Sequence, residues 1–429
     1  MFERRKLNLP THARSVMADR PVRRLHPAGV GLKVAAACLG VAMVLAFSVQ
    51  PSAVAAPSPA AHLPAAAITK APRLSGSTSL ASRLAADFVG TEGALPKSGP
   101  KPVAGKNVWV ISCGQQAVGC SDPAGAAAAA GKLIGWKTTI YDGKLSPVGW
   151  EAGIRAAIAD HADGIITVEL DCASVKQALQ EAKAAHIPTI GMNAFDCAAQ
   201  GAGPNLFTAT VKYTPKYSGP AQFEKELGVM QADWLASRVG PHGRILELKD
   251  IGTIIISTAN AGFESQIKID CPACTVIPVT FTLEDAATGA LATRLSAALE
   301  KNPNINGIEA PIDSIVAQFL GPADSQISDL SKISVIGGEG FAVNIDKART
   351  GQWENAGVGN DDQWLGWAGV DALNRVFAHT PQVYSGWGMR LWQIKPPRNL
   401  PPTGSNYEAK SSWMANYKRI WGVAGASGS

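Results

Sequence analysis

Between Asn107 and Asn193 the chain alternates short apolar runs with helical periodicities and almost no filler, which leaves few architectures open to it. Val108-Trp109-Val110-Ile111-Ser112 is a continuous apolar run closed by a small polar residue, the pattern of a strand buried on both faces. Asp122-Pro123 reads as a helix start, because Asp accepts from the free N–H groups of a first turn and Pro there loses nothing by lacking its own. Thr138 to Tyr141 reads as a second strand. Ser146-Pro147 repeats the start, and the helix it opens sets Trp150, Ile154, Ala157 and Ile158 on one face. Ile165 to Val168 forms a third strand, Val175, Leu179 and Ala182 mark a third helix, and Ile187 to Met192 forms a fourth strand. Strands alternating with helices predict an α/β fold, a parallel sheet covered on both faces.

A second series follows. Leu206 to Val211 reads as a fifth strand and Gln222 to Val239 as an amphipathic helix; then come strands at Arg244 to Leu248, Thr275 to Val279, Ile305 to Ala310 and Ser334 to Gly337. Asp285 to Asn302 reads as one helix with Leu291, Leu295, Ala298 and Leu299 on a face, Trp353 to Val358 as a last strand, and Asp362 to Ala378 as a last helix. The expected organisation is an N-terminal lobe of residues 106–211 plus 361–384 and a C-terminal lobe of residues 212–360. Residues 385–429 break the alternation. With Trp387, Trp392, Trp413 and Trp421 they are too apolar for a free tail, and read as a wrap across both lobes.

Charge needs to be read by segment. The chain of 429 residues carries a formal +5, but residues 1–33 hold eight Lys/Arg against two Asp/Glu and residues 34–55 hold neither, so the remainder has 31 basic and 32 acidic residues. No basic surface for nucleic acid follows from that balance. Residues 1–55 read as an export signal: a basic segment, an apolar run from Val34 to Val49, and small residues through Ala55 suited to cleavage. The alternative is an uncleaved anchor through residues 34–49, a run short of the roughly 20 residues a span needs. Ala56 to Gly105 is rich in Ala, Pro and Ser and reads as a linker, with a short helix at Leu80 to Val89. Beyond Cys38 there are six cysteines in three near pairs, Cys113 with Cys120, Cys172 with Cys197 and Cys271 with Cys274. In an exported chain these read as disulfides, although six cysteines permit 15 connectivities; the Cys271-Pro-Ala-Cys274 spacing also fits a redox pair or half a zinc site, which ranks second because no second such pair or nearby His completes a metal set.

A sheet of this kind binds ligands beyond the carboxyl ends of its strands. Those ends carry Gln115 and Gln116, Asp142, Glu169 and Asp171, and Asn193 with Phe195 and Asp196. Asp171 and Asp142 each precede a helix, where capping is the plainer role. No nucleophile elbow, phosphate loop, zinc-protease helix or dinucleotide fingerprint is present, so neither a catalytic residue nor a cofactor or metal set is expected.

Several short motifs, in order, carry a resemblance: Asp163-Gly164-Ile165-Ile166, Ile187-Pro188-Thr189-Ile190, Gly262-Phe263, Ile336-Gly337-Gly338-Glu339-Gly340 and Gly351-Gln352-Trp353. Over roughly residues 106–380 the chain resembles the type I periplasmic sugar-binding proteins of ABC importers, the ribose-binding family. The resemblance implies two doubly wound parallel-sheet lobes joined by a hinge, closing on a small solute without reacting with it. It puts ligand contacts at Asn193, Asn260, Asp313, Glu339 and Asn360, beside the rim residues Gln115, Gln116, Phe195 and Asp196. Two family arginines are missing: Ala194 stands in one place, and none precedes Gly262-Phe263. Acceptors remain, which favours a polyol, an amino sugar or another amine-bearing solute over a simple pentose or hexose. Phe195 and Phe341 are candidate ring contacts, whereas Trp364 and Trp367 read as packing. The implied partners are a permease and an ATPase, with the receptor itself a monomer; a sensor ectodomain is the alternative role, and an exported carbohydrate-active enzyme a more remote one. Asn193 and Glu339, one from each lobe, are expected to face each other across the cleft and to dominate binding.

Overall fold

The computed structural model describes residues 79–317 and 332–423, so the segment read as an export signal and the first part of the one read as a linker lie outside the described residues. The described residues build two sheets. The first has strand order β2-β1-β3-β4-β5, with β1 at Asn107–Ser112, β2 at Lys137–Asp142, β3 at Gly164–Val168, β4 at Thr189–Met192 and β5 at Ala209–Thr210. All its pairings are parallel, and Val108, Val110, Ile111 and Ile165–Val168 are buried, as in the covered strands of such a sheet. The second has order β11-β10-β9-β8-β6-β7, with β6 at Arg244–Asp250, β7 at Thr275–Phe281, β8 at Gly307–Glu309, β9 at Ser334–Glu339, β10 at Ala356–Asn360 and β11 at Met389–Gln393. Only β11 runs antiparallel, against β10.

Helices cover both sheets, and their ends show where local signals held. Ser146 caps the helix Pro147–Ala159 by accepting from Gly149 N at 3.2 Å, with Pro147 in the first turn. The helix expected from Asp122 instead spans Val118–Leu133, with Pro123 inside it, where the missing N–H forfeits one bond. Asp285 to Asn302 is two helices, Leu283–Thr288 and Ala290–Lys301, broken at Gly289 with φ of 77°. The strand expected from Leu206 shrinks to two residues, because Leu206 N–H and Phe207 N–H donate to the Asp196 carboxylate at 2.9 and 3.5 Å rather than to a ladder.

The segment expected as a linker is, from Ser79 on, part of the body. Helix Leu80–Val89 buries Phe88 and pairs Arg83 with Asp233 (3.1 Å) and with Asp270, while Glu92 pairs with Arg390 at 3.1 Å. Further on, Val103 N–H donates to Asn374 Oδ1 at 3.0 Å and Trp136 Nε1 to the Val103 carbonyl at 2.8 Å. A few well-placed contacts hold it, and these leave no trace in composition. The C-terminal segment contributes β11 to the second sheet and the helix Trp413–Trp421, whose Trp421 stacks on Trp367 with ring centroids 5.3 Å apart.

The chain passes between the sheets at residues 211–219, near 360–362, and at 384–388. The first and last passages run side by side: Ser385 N–H and Gly386 N–H each donate, at 2.8 Å, to the carbonyls of Lys212 and Tyr213. An aromatic cluster fills this crossing, with Phe223 stacked on Trp387 at 4.2 Å and Tyr213 edge-on to Trp387 at 4.7 Å. Each near pair of cysteines sits at bridging distance, with Cα–Cα separations of 5.3 Å for Cys113–Cys120, 4.9 Å for Cys172–Cys197 and 5.3 Å for Cys271–Cys274. Peptide mass spectrometry of secreted protein is expected to recover these three linked pairs; six alkylatable thiols would refute it.

Candidate functional site

The carboxyl ends of β3 and β4 carry Glu169 and Asn193, and that of β9 carries Glu339. All three have positive φ, 56°, 44° and 64°, a conformation that costs a residue with a Cβ about 1–3 kcal/mol and is held only where the surroundings impose it. Asn193 is buried. Its Oδ1 accepts from Tyr213 Oη at 2.9 Å, which turns Nδ2 toward Glu224 Oε1 at 2.9 Å and Glu169 Oε1 at 3.4 Å. Glu224 arrives from the first turns of helix Pro220–Val239, which packs on the second sheet, so this bond joins the two lobes. Asn360 Nδ2 donates to Asp362 Oδ1 at 2.6 Å, where the last parallel strand meets the helix Asp362–Phe377.

Five carboxyl groups thus gather at the inter-lobe crossing: Glu169, Asp171, Glu224, Glu339 and Asp362. Burial is the main influence on each. It pushes Glu169 and Asp171 up to about 7 and Glu224 up to about 8, the Asn193 amide opposing the rise at Glu169 and Glu224. Glu339 and Asp362 are held well above the ordinary carboxylate range by burial and then by the charge of Glu169. Tyr213, buried among them, is raised well above its usual value by burial and by Glu224, so it stays a protonated donor. The lobes touch here: a Cβ added at Gly119, in the first turn of helix Val118–Leu133, would stand 2.7 Å from Glu339 Oε1 and 3.4 Å from Phe341 Cζ.

A profile of the periplasmic binding protein domain family matches residues 120–380, more than half of the chain. The chain belongs to that family. No curated protein sequence matches it. Among solved structures it is similar to an ABC transporter solute-binding protein from Burkholderia graminis in complex with D-arabinose. That protein is 15% identical at TM-score 0.58, over 69% of this chain and 98% of the other. It is similar too to a solute-binding protein from Agrobacterium vitis bound with α-D-tagatopyranose, 19% identical at TM-score 0.57 over 66% and 94%. A second Agrobacterium vitis protein, with bound allitol, is 16% identical at TM-score 0.55 over 68% and 96%. The fold is the type I periplasmic binding protein fold, and the chain is a binding protein, not an enzyme. Among the described residues no helix is long and apolar enough to cross a membrane.

The structure distributes the residues singled out from the sequence among different tasks. In this periplasmic binding protein Asn193 and Glu339 share one cluster through Glu169, and Asn360 joins its edge. Glu339 makes no capping bond to helix Ala342–Arg349, whose Ala342 N–H donates instead to Asn406 Oδ1 at 2.9 Å. Asp196 is spent on its own loop, accepting from Cys197 N–H at 2.8 Å and from Leu206 N–H. Asn260 lies inside the C-terminal lobe, bonding Asp250 N–H (3.0 Å) and the Leu248 carbonyl (3.1 Å). Asp313 accepts from Gly340 N–H and Phe341 N–H at 2.8 and 2.7 Å and so shapes the loop after Glu339. Gln115 and Gln116 are exposed on the lip, and Phe195 and Phe341 are buried. Asp142 and Asp171 are not simple caps: Asp142 accepts from Gln115 N–H at 2.9 Å and Asp171 from Phe195 N–H at 3.0 Å, each tying one strand-end loop to the next. Sequence reading missed Glu224, Tyr213 and Asp362 as members. Only Asp362, beside a strand end, had a positional signal; Glu224 lies within a helix and Tyr213 in a connection.

Proposed function

We propose that this chain is an exported solute receptor that captures a small polyhydroxylated ligand, carbohydrate-like or a polyol, between its lobes and presents it to the permease and ATPase of an ABC importer. The observation that carries the reading is the meeting of β3 and β4 ends from one lobe with the β9 end and Glu224 from the other, at the point where the chain crosses between sheets. Family membership supports solute binding, and sugars and a polyol occupy the similar proteins named above. Asn193, Glu169, Glu224 and Glu339 are the residues assigned to ligand contact. The crossing segments 211–219 and 384–388 serve as the hinge.

A thermal-shift screen of purified protein against pentoses, hexoses, polyols and amino sugars tests this. A ligand at about 100 times its Kd adds about 2.7 kcal/mol to the folded state, enough to move the melting temperature visibly. X-ray scattering with the hit is expected to show a smaller radius of gyration as the lobes close. No stabilisation by any member, with no compaction, would overturn the proposal.

A further inference from the structure

We infer that the solute carries a protonated amine, seated among Glu224, Glu169 and Glu339. This rests on the solute-receptor reading above and narrows its ligand class.

The polarity of the cluster is fixed by its donors. Tyr213 gives its only proton to Asn193 Oδ1, and Asn193 spends its amide protons on Glu224 and Glu169. Asn360 donates to Asp362, and Asp171 takes Phe195 N–H. The sulfur nearest Glu169 Oε2, Cys113 Sγ at 3.9 Å, is paired with Cys120 and has no proton to give. Glu339 is nine-tenths buried, and its Oε2 has no hydrogen-bond partner among the described residues. The charges acting on it come from Glu169, Asp362, Asp313 and Glu224, all of its own sign. Among the described residues no ion pair reaches any of the five acids; the pairs formed by Arg83, Lys106, Arg155, Lys249, Arg375 and Arg390 all go elsewhere.

Once these acids ionise, acceptors are all that is left, so an occupant that draws their protons off must bring N–H donors of its own. A neutral polyol supplies donors but leaves the like-charged carboxylates uncompensated, and fits only if they stay protonated. An ammonium group supplies three donors and the missing charge together. The adjacent loops bring no arginine to neutralise the cluster: Ala194 follows Asn193, and none stands between Asp250 and Phe263.

The test compares matched probes at pH 7, where the amine members are mostly ammonium ions, on the full protein by calorimetry and thermal shift. The pairs are D-glucosamine with D-glucose, D-galactosamine with D-galactose, and glucamine with sorbitol; putrescine and spermidine extend the amine series. The amine member of at least one pair should bind tenfold or more tighter than its neutral counterpart. Glu224→Gln should reduce that preference to within about threefold while the protein stays folded, and Glu339→Gln provides the same readout should the first variant fold poorly. Neutral members binding as tightly as the amines would overturn this inference and leave the solute-receptor function standing. Binding by no probe of either series would count against both.

Discussion

Gly228→Ala and Gly262→Ala should each cost the folded protein about 3 kcal/mol, the upper end of what overpacking a tight contact costs. Helices Pro220–Val239 and Ile254–Asp270 cross with their backbones in contact at these glycines. A Cβ at Gly228 would lie 1.9 Å from the Ala259 carbonyl oxygen, and one at Gly262 would lie 2.1 Å from the Lys225 carbonyl oxygen. Both obstacles are backbone, so no side-chain rotation relieves the clash and the helices must separate. Gly228 lies one turn beyond Glu224, so the same displacement should draw the Glu224 carboxylate away from Asn193 and weaken ligand binding tenfold or more in any protein that still folds. Thermal melts and calorimetry on the two variants check this; melting temperatures within a degree of wild type would refute it.

The unliganded protein should be more stable at pH 5.5 than at pH 8.5, opposite to a protein whose carboxylates are paired with arginines. The folded-state values of Glu169, Asp171 and Glu224, about 7, 7 and 8, lie above those of the unfolded chain, and Glu339 and Asp362 are raised in the same direction. The folded state therefore holds more protons across this window. That stabilisation is complete below the unfolded carboxylate values near 4 and is lost as pH rises through 7 to 8. Glu224, taken alone, loses about 3 kcal/mol between pH 5.5 and 8.5, equivalent to a fall of roughly 4 °C in melting temperature for a folded chain of this size. A bound ammonium compensates the charges and should remove most of that fall, with protons released on binding. Calorimetric melts at the two pH values, with and without the amine probe, measure both effects. A melting temperature that rises toward pH 8.5 would refute the account.

Much of this was legible from short-range pattern. Strand and helix alternation, the Ser146-Pro147 helix start and the polar strand ends at Glu169, Asn193 and Glu339 depend on interactions within a few residues, and local sequence encodes them. Gly289, which breaks one expected helix in two, was visible too, but periodicity in Leu291 and Leu295 outweighed it. Segment 79–105 was misread because Ala, Pro and Ser dominate it, while its attachment depends on single residues such as Arg83 and Phe88 meeting partners more than a hundred positions away.

By itself the sequence determined the α/β fold and the doubling of the βα series, because each follows from a repeated period that only one class of packing satisfies, while the family was carried by the resemblance of short ordered motifs from Asp163-Gly164 to Gly351-Gln352-Trp353. Which polar residues would be cleft groups was decided only in three dimensions. Asp196 and Asn193 are three residues apart on one loop, yet Asp196 turns back to cap Leu206 while Asn193 faces Glu224, which lies 31 positions along the chain in the other lobe's helix. The reason is that a side chain's task is set by which donors and acceptors the rest of the chain delivers to it. The raised carboxyl values likewise exist only once the lobes meet and exclude water from charges that are dispersed and solvated along the unfolded chain.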